Sequence, residues 1–420
     1  MLRQILIGAV GSLLLAGAWG CSAKSDEAAP STSDEGVTYD DSSNPGDDSV
    51  AADDVTSDAT GGGVAPSTST AAGLYENGVD GSPILALIQS ATTSLDIEIY
   101  EMTDSAVQSA VLNAAQNGIA VRIVYEPHLV GSKCGAFTTS TSDCTAEQNY
   151  ISQLQSAGAQ VAPFNKQMCG YDTKCVEHGK LVVVDGATAM VSTGNFAATS
   201  LCDAKDKPST CNVDYSYVLT DTDAVAALDQ IIANDLAQTT YDVGSIASPV
   251  SSRITVSPVT SDDLVNMING AQSSITIENQ YLKFSKMNDA LTAAAQRGVQ
   301  VTVMVASICA FGKPSNSDKN YLQNDIGGLA NAGATALALT EKEKVGGKPG
   351  YLHAKTMVVD GTQAWVGSVN GSQAAFEDNR EFGVYLTDPG EVQKLATAQQ
   401  THFAGAEPWS TNLNCTNKNN

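Results

Sequence analysis

The chain has few basic residues: 22 lysines and arginines stand against 46 aspartates and glutamates, for a net charge of −24 at pH 7. Residues 22–75 contribute −10 and Arg3 contributes +1, so residues 76–420 still carry −15. Binding to a nucleic acid relies on lysine and arginine side chains that neutralise phosphates. The composition therefore argues against nucleic acid as a partner.

Apolar runs long enough to cross a bilayer are also missing. The N-terminal stretch MLRQILIGAVGSLLLAGAWGC is too short to span with margin. Its single arginine, short apolar run and small residues predict a signal peptide over residues 1–21 and an exported protein. Cys21 ends a segment that resembles a bacterial lipobox, which predicts lipidation and a cell-envelope lipoprotein. Cleavage after Ala18 would instead give a periplasmic or secreted protein.

Residues 22–75 contain almost no large apolar side chain and have eleven acidic residues beside one lysine. Such a segment cannot bury enough surface to offset the entropy of ordering it. We expect a disordered acidic tether that would hold the folded part away from a membrane.

No C-x-x-C pair lies near a histidine, so the cysteines do not indicate a zinc site. Apart from Cys21 there are eight, an even number, and an oxidising compartment would pair them. Eight cysteines allow 105 connectivities. Short separations favour the pairs Cys134–Cys144, Cys169–Cys175 and Cys202–Cys211, which leaves Cys309 with Cys415.

One stretch occurs twice: HGKLVVVDGATAMVSTGN at 178–195 and HAKTMVVDGTQAWVGSVN at 353–370. Each has Lys two residues after His, Asp five after Lys and Asn ten after Asp. Apolar β-branched runs around Asp-Gly predict a hairpin in which His and Asn face each other, with Lys on the side of His. The candidate residues are His178, Lys180, Asp185 and Asn195, then His353, Lys355, Asp360 and Asn370. The remaining histidines, His128 and His402, lack this frame and are predicted at the surface.

A longer repeat surrounds these stretches. Residues 82–102 match 261–282, and residues 114–127 match 294–307, each with a helical pattern followed by a strand pattern. The order β-α-β-α-β-β predicts an α/β protein with two similar α-β-α sandwich halves. We expect mixed sheets, a pseudo-two-fold axis and one shared active site between the halves. The predicted boundaries are 76–240 for the first half, 241–256 for a linker and 257–415 for the second half.

A polar strand pattern follows each hairpin, with Asn212 and Asp214 in the first copy and Asn379 and Glu381 in the second. In both, the asparagine and the acid lie two residues apart and so on one strand face. A carboxylate bound to one imidazole nitrogen fixes the tautomer and raises the basicity of the other nitrogen. Asp214 and Glu381 are therefore candidate partners of the two histidines.

Both copies resemble the H-x-K-x4-D signature of the phospholipase D superfamily. The second copy has the longer form of the signature, through Ser368, Asn370 and Glu381. The first has Thr193 for Ser and Asp214 for Glu, which keeps a hydroxyl and a carboxylate. The resemblance covers residues 80–410 and identifies the chain as a bacterial exported phospholipase D-like protein.

The resemblance implies a two-step phosphodiester transfer through a phosphohistidine, without metal or cofactor. It makes His178 the nucleophile and His353 the acid and base. Lysines and asparagines would surround the phosphoryl oxygens in place of a metal. The implied catalytic residues are His178, His353, Lys180 and Lys355; the supporting ones are Asn195, Asn370, Thr193, Ser368, Asp214 and Glu381. Asp185 and Asp360, at the hairpin turns, are predicted to be structural.

Three functions fit these observations. The first is removal or exchange of phospholipid head groups by a monomer with internal pseudo-symmetry. The second is an envelope or secreted nuclease of the same superfamily, against which the acidity of the chain argues. The third is a surface binding module without catalysis, against which the two intact motifs argue. A cardiolipin-type synthase is a variant of the first, although such enzymes commonly carry membrane helices.

Overall fold

The structure is a computed structural model that describes residues 70–166, 175–202, 210–309, 314–339, 344–345 and 348–411. These residues belong to one compact unit, Thr38–Asn420. The predicted signal peptide, Cys21 and the tether as far as residue 69 lie outside the described residues. Within them, no helix is both long and apolar enough to cross a membrane.

Within the described residues, the first half contains eight strands and seven helices. Its strands are β1 (Gly73–Glu76), β2 (Ser94–Ile99), β3 (Ala120–Tyr125), β4 (Gln160–Pro163), β5 (Lys180–Val184), β6 (Thr188–Ser192), β7 (Cys211–Val213) and β8 (Tyr215–Leu219). Its helices are α1 (Asn77–Asp80), α2 (Ile84–Gln89), α3 (Ser105–Gln116), α4 (Thr145–Ser156), α5 (Ala198–Leu201), α6 (Thr222–Leu236) and α7 (Val243–Ala247). A 3-10 turn, Ser248–Val250, follows α7.

The second half repeats this plan. Its strands are β9 (Ile254–Ser257), β10 (Ser274–Asn279), β11 (Gln300–Ala306), β12 (Thr335–Leu339), β13 (Lys344–Val345), β14 (Lys348–Leu352), β15 (Lys355–Val359), β16 (Gln363–Gly367), β17 (Glu381–Leu386) and β18 (Glu407–Pro408). Its helices are α8 (Asp262–Gly270), α9 (Ser285–Gln296), α10 (Asn316–Tyr321), α11 (Gly327–Asn331), α12 (Gln373–Glu377) and α13 (Pro389–Gly405). A π-helical segment, Leu322–Ile326, joins α10 to α11.

The main sheets of the two halves have the same strand order. The first is β1-β8-β6-β5-β2-β3-β4, and the second is β9-β17-β16-β15-β10-β11-β12, with β18 added at its far edge. In each, three parallel strands adjoin an antiparallel hairpin and two further antiparallel strands. The prediction of two similar α/β halves with mixed sheets is confirmed.

Helices cover both faces of each sheet. Helices α2, α3 and α4 pack on the outer face of the first sheet over Leu95, Ile97 and Ile123, and α8 and α9 cover the second sheet in the same way. A central core lies between the sheets and includes residues of α6, α13 and the two hairpins. Because the sheets are covered on both faces, polar side chains that point to the centre are buried.

The Asp-Gly pairs form the predicted hairpin turns. Asp185 and Gly186 have φ angles of 53° and 61°, and Asp360 and Gly361 have 54° and 64°. Glycine and, among other residues, aspartate tolerate this left-handed region, which a type I′ turn requires at both of its central residues. Strands β5 and β6, and β15 and β16, leave these turns as antiparallel pairs.

The same edge strand was missed in both halves. Strand β1 begins at Gly73, inside the predicted tether 22–75, and β9 begins at Ile254, inside the predicted linker 241–256. Both are four-residue strands that pair with β8 or β17. Strands β4 and β12 were also absent from the predicted order β-α-β-α-β-β. Strands of four or five residues give too short an alternating pattern to separate them from loops.

Two of the favoured cysteine pairs are disulfides in the structure, Cys134–Cys144 and Cys202–Cys211. Cys175 and Cys309 are also disulfide-bonded. Their predicted partners, Cys169 and Cys415, lie outside the described residues.

Candidate active site

The segment before each motif histidine pairs with the other half of the molecule. Strand β14 leads to His353 and runs parallel to β7, and the backbone N–H of His353 donates to the carbonyl of Val213 at 3.2 Å. Before His178, Glu177 forms a bridge with Arg380, and the N–H of His178 donates to the carbonyl of Arg380 at 2.9 Å. Both histidines therefore lie at the interface between the halves.

Each imidazole is bound by a carboxylate of the opposite half. Nδ1 of His178 is 2.9 Å from Oε2 of Glu381, and Nδ1 of His353 is 3.0 Å from Oδ1 of Asp214. The histidines are 6% and 3% exposed, and both acids are fully buried. Burial alone would raise the pKa of Asp214, but its charged and hydrogen-bonding neighbours outweigh burial and lower it. We call these two pairs the crosswise dyads.

The predicted register of the hairpins is one residue out. Leu181 pairs with Val191. A ladder that sets His178 opposite Asn195 would instead pair Leu181 with Ser192. Three residues, 185–187, separate the last paired positions of the hairpin, so its centre moves by half a residue. The second hairpin has the same offset. The two histidines lie outside the paired residues of the hairpins. Their backbone N–H groups donate to carbonyl groups of the other half instead.

Lys355 determines which nitrogen of His353 carries the proton. Nζ of Lys355 lies 3.0 Å from Nε2 of His353 and 3.2 Å from the carbonyl oxygen of Thr193. A protonated lysine can only donate, so in the neutral form of His353 Nε2 accepts from Lys355 and the ring proton on Nδ1 donates to Asp214.

His178 has different neighbours. Nζ of Lys180 donates to the carbonyl oxygen of His178 at 2.7 Å and lies 5.1 Å from the centre of the Tyr100 ring. The same ring is 4.7 Å from the imidazole, centroid to centroid. Tyr100 was not predicted; it follows β2, next to the hairpin. In the second half its position is taken by Gln280, which donates to the hydroxyl of Tyr351 at 3.0 Å.

The hydroxyl residues after the hairpins support the acids of the dyads. Oγ1 of Thr193 donates to Oδ1 of Asp214 at 2.7 Å. Oγ of Ser368 accepts from the backbone N–H of Phe382 at 3.0 Å, one residue after Glu381. Thr193 therefore contacts its acid directly, and Ser368 holds only the strand that bears the other acid.

Asn195 and Asn370 are buried with incomplete hydrogen bonding. Nδ2 of Asn195 donates to Oε2 of Glu101 at 2.8 Å. Oδ1 of both asparagines is buried and has no hydrogen-bond partner among the described residues. Buried amides normally satisfy both ends, so this pair suits a site where a ligand completes the bonding.

The motif aspartates bind backbone and hydroxyl groups of the loops that precede β2 and β10. Asp185 accepts hydrogen bonds from the N–H groups of residues 92–94, and Asp360 from those of residues 272–274. Burial alone would raise both pKa values, but the hydrogen bonds outweigh it and lower the pKa of Asp360 to about 2 and that of Asp185 below its usual range. Their contacts suit the structural role predicted for them.

A buried charge cluster, which we call the acid cluster, lies behind His178 and was not predicted. Nε of Arg380 is 3.1 Å from Oδ2 of Asp235 and 3.7 Å from Oε1 of Glu98. Burial raises the pKa of Glu98 well above its usual value and that of Glu177 to about 8. After burial, the neighbouring carboxyl group of Glu177 raises the pKa of Glu98 further.

The second half has a different cluster behind its hairpin. Nδ1 of His402 lies 2.7 Å from Oε1 of Glu278, and its Nε2 lies 3.2 Å from Oε1 of Glu76. The hydroxyl of Tyr215 donates to Glu278 at 3.0 Å. Burial alone would lower the pKa of His402, but the two carboxylates outweigh burial and raise it to about 10. The prediction of a surface position is right for His128 and wrong for His402, which packs between the halves.

Within the described ranges, one group of three potential metal ligands lies close together: Cys134, Cys144 and Glu147. The two sulfurs are joined in a disulfide, so they cannot supply thiolate ligands. This group carries no argument for a metal centre.

A family model described as cardiolipin synthase, PLD-like domain, matches residues 84–236 and 264–403. The chain belongs to the phospholipase D-like family. The two matched ranges coincide with the two halves, so the repeat recognised in the sequence corresponds to two phospholipase D-like domains.

Curated relatives include the probable cardiolipin synthase YwiE of Bacillus subtilis, which is 25% identical over 354 residues. The major cardiolipin synthase ClsA of the same organism is 23% identical over 345 residues. The matches cover 79% and 75% of this chain and 64% of each relative. The chain thus spans about two thirds of the length of the relatives it matches.

Solved structures show the same fold. Phosphatidylserine synthase of Haemophilus influenzae superposes with a TM-score of 0.54 at 14% identity, covering 77% of this chain and 84% of that one. Polyphosphate kinase of Porphyromonas gingivalis gives 0.53 at 13% identity, covering 76% and 48%. At these identities the likeness concerns the fold alone.

Proposed function

We propose that this protein is a phospholipase D-type enzyme that cleaves a phosphodiester bond of a phospholipid and transfers the phosphatidyl group to water or to an alcohol. The crosswise dyads carry this proposal. A carboxylate on Nδ1 orients the ring and leaves Nε2 as the reacting nitrogen. The cardiolipin synthases among its relatives support phospholipid substrates and transfer to an alcohol.

In the proposed reaction, Nε2 of one histidine attacks phosphorus, and the bond from phosphorus to the head-group oxygen breaks. The second histidine gives its proton to that oxygen, which leaves as an alcohol. Water or an acceptor alcohol then attacks the phosphorus of the phosphohistidine, the bond from phosphorus to nitrogen breaks, and the acceptor gives its proton to the second histidine. Lys180, Lys355, Asn195 and Asn370 would bind the phosphoryl oxygens, so the route needs no metal.

The hydrogen bonds of the two histidines support an order of duties opposite to the one that the family resemblance implies. The attacking nitrogen must be unprotonated, and the contact of 3.0 Å between Nζ of Lys355 and Nε2 of His353 favours the tautomer in which Nε2 carries no proton. His178 is bound at Nδ1 by Glu381, and its imidazole packs against the Tyr100 ring at 4.7 Å between centroids. We therefore propose His353 as the nucleophile and His178 as the acid and base.

The two alternatives have less support. A nuclease would have to hold a polyanion on a domain that carries −15 over residues 76–420. Burying a charged acid costs free energy even when the acid is paired. A binding module would have no need for two buried histidine–acid pairs, each assembled from both halves. We further propose that the protein is exported, works as a monomer and is held near a membrane by lipid on Cys21.

The test uses the full-length protein with vesicles of phosphatidylcholine and phosphatidylglycerol in excess EDTA. We expect free head group and phosphatidic acid, and a phosphatidyl alcohol when glycerol or ethanol is added. Parallel assays on plasmid and single-stranded DNA separate the nuclease alternative. Cleavage of DNA without lipid turnover would contradict the proposal. Activity lost in EDTA and restored by a divalent ion would contradict the metal-free route.

A further inference from the structure

Arg380 belongs to the second half, yet its side chain lies in the first. Its guanidinium is bound to Asp235 of α6 through Nε at 3.1 Å and Nη2 at 3.4 Å, and Nε lies 3.7 Å from Glu98 of β2. The guanidinium carbon is 5.8 Å from the centre of the Phe164 ring, and the residue is 1% exposed. A cation buried this deeply is stable only with such partners.

The backbone of the same residue sets the geometry of one crosswise dyad. The N–H of Arg380 donates to the carbonyl of Val176 at 3.0 Å, and its carbonyl accepts from the N–H of His178 at 2.9 Å. Glu381 is the next residue, and its carboxylate then reaches Nδ1 of His178. A shift of this strand by a fraction of an ångström would change the dyad directly.

The other dyad is held in a different way. Position 213, which precedes Asp214 as Arg380 precedes Glu381, is a buried valine. Around it, β7 and β14 form three consecutive backbone pairs, and the disulfide Cys202–Cys211 fastens the start of β7. Backbone pairing supports this dyad, whereas an isolated bridge supports the dyad of His178.

We propose that Arg380 is a positioning residue for His178: its ion pairs with Asp235 and Glu98 hold the strand that carries Glu381 in the register where the carboxylate meets Nδ1. The guanidinium also balances the negative charge of the acid cluster beside the dyad. The catalytic consequence rests on the proposed function. The positioning itself can be measured without turnover.

The experiment follows the ring nitrogens of the four histidines by NMR in full-length protein labelled with 15N-histidine. Arg380→Met is compared with Arg380→Lys and with the double variant Arg380→Met/Asp235→Asn, which removes both charges and protects folding. In both methionine variants we expect the Nδ1 signal of His178 to move toward that of a freely exchanging imidazole while the signals of His353 stay. We expect kcat to fall about 100-fold with a smaller change in KM, and Arg380→Lys to recover about tenfold.

Arg122→Met is the matched control, because Arg122 joins Asp96 of β2 to Asp229 of α6, the same two elements. It should lower Tm and leave the signals of His178 and kcat unchanged. If the Arg380 variants behave like Arg122→Met, the residue is structural only and the inference is wrong. If the His178 signals move as expected but wild-type protein turns over no lipid, the proposed function fails and the positioning role stands.

Discussion

The two halves share strand order, hairpins and motif, but they bury opposite charges behind those hairpins. Fourteen residues after its N-cap aspartate, α6 carries Asp235 and α13 carries His402. Asp235 is bound by Arg380 of the second half, and His402 is bound in part by Glu76 of the first half. The repeat therefore preserves the backbone plan, whereas each half obtains from the other a counter-charge for its own cluster.

The two motif histidines also have different surroundings. Beside His353 the lysine reaches the imidazole, and beside His178 a tyrosine ring lies near both the lysine and the imidazole. A two-step transfer needs one neutral and one protonated imidazole at the same pH, which unlike surroundings can provide. The departures from symmetry are thus as informative as the repeat itself.

The largest expected effect tests this difference directly. His353→Ala and His178→Ala should each lower turnover of phosphatidylcholine by about 10⁴-fold or more. With a p-nitrophenyl phosphodiester, whose leaving group needs no proton, His178→Ala should recover phenolate release and His353→Ala should not. The measurement is absorbance of p-nitrophenolate. Recovery in His353→Ala instead would restore the order implied by the family resemblance.

Removal of the acids should have the next largest effect and should act across the interface. Asp214→Asn and Glu381→Gln should lower kcat by about 10²- to 10⁴-fold, because each leaves the histidine of the other half without its orienting charge. In NMR of labelled histidine, Asp214→Asn should alter His353, and Glu381→Gln should alter His178. An effect on the histidine of the same half would contradict the crosswise dyads.

The two buried clusters should differ in how they link stability to pH. Glu177 has a folded pKa of about 8 against an ordinary value of 4.5. Between these values the folded protein keeps a proton that the unfolded chain releases, so the free energy of unfolding falls as the pH rises from about 4.5 to 8. His402 has a folded pKa of about 10 against 6.5, so its contribution is complete below pH 6.5 and is lost as the pH rises to about 10.

Urea unfolding midpoints measured from pH 5 to pH 10 would test these windows. Glu177→Gln should flatten the slope below pH 8, and His402→Gln should flatten the slope between pH 6.5 and 10. The variant Arg253→Met, which removes a surface ion pair with Asp221 and Asp223, should leave both slopes intact. Identical pH profiles for the two cluster variants would remove the distinction between the clusters.

The smallest effect should be the same in both halves. Asp185→Ala and Asp360→Ala should each lower the free energy of unfolding by about 1–3 kcal/mol, since several backbone donors lose their acceptor. Because these carboxylates lie at the turns, kcat should stay within about twofold. Thermal unfolding and lipid turnover, measured together, would check this. A large loss of kcat at unchanged Tm would assign the motif aspartates a catalytic role.

The sequence was sufficient to predict the repeat, the hairpins and the identity of the motif side chains. A spacing that occurs twice and an Asp-Gly turn are local signals, so they can be read without the fold. Which acid meets which histidine could not be read, because the partners are 203 and 139 residues apart. Spacing along the chain carries no information about an exchange between halves.

The acid cluster was missed for a different physical reason. The segment SLDIEI of β2 alternates apolar and polar residues. This pattern is typical of a strand that has one solvent-exposed face. The sheet is covered on both faces, so Asp96 and Glu98 are buried. Burial then demands partners, which Arg122 and Arg380 supply. Only the packing of the halves shows this requirement.

The exchange of acids between the halves has a consequence for descent. A half on its own would lack the acid for its histidine, so a chain with a single motif would need a second copy to supply it. Two halves in one chain need not be identical, and here they differ. Asp214 is one methylene shorter than Glu381, and the shorter acid is accompanied by the longer backbone ladder. The differences between the two halves are matched to each other. Replacing either half with a copy of the other would therefore lose this match.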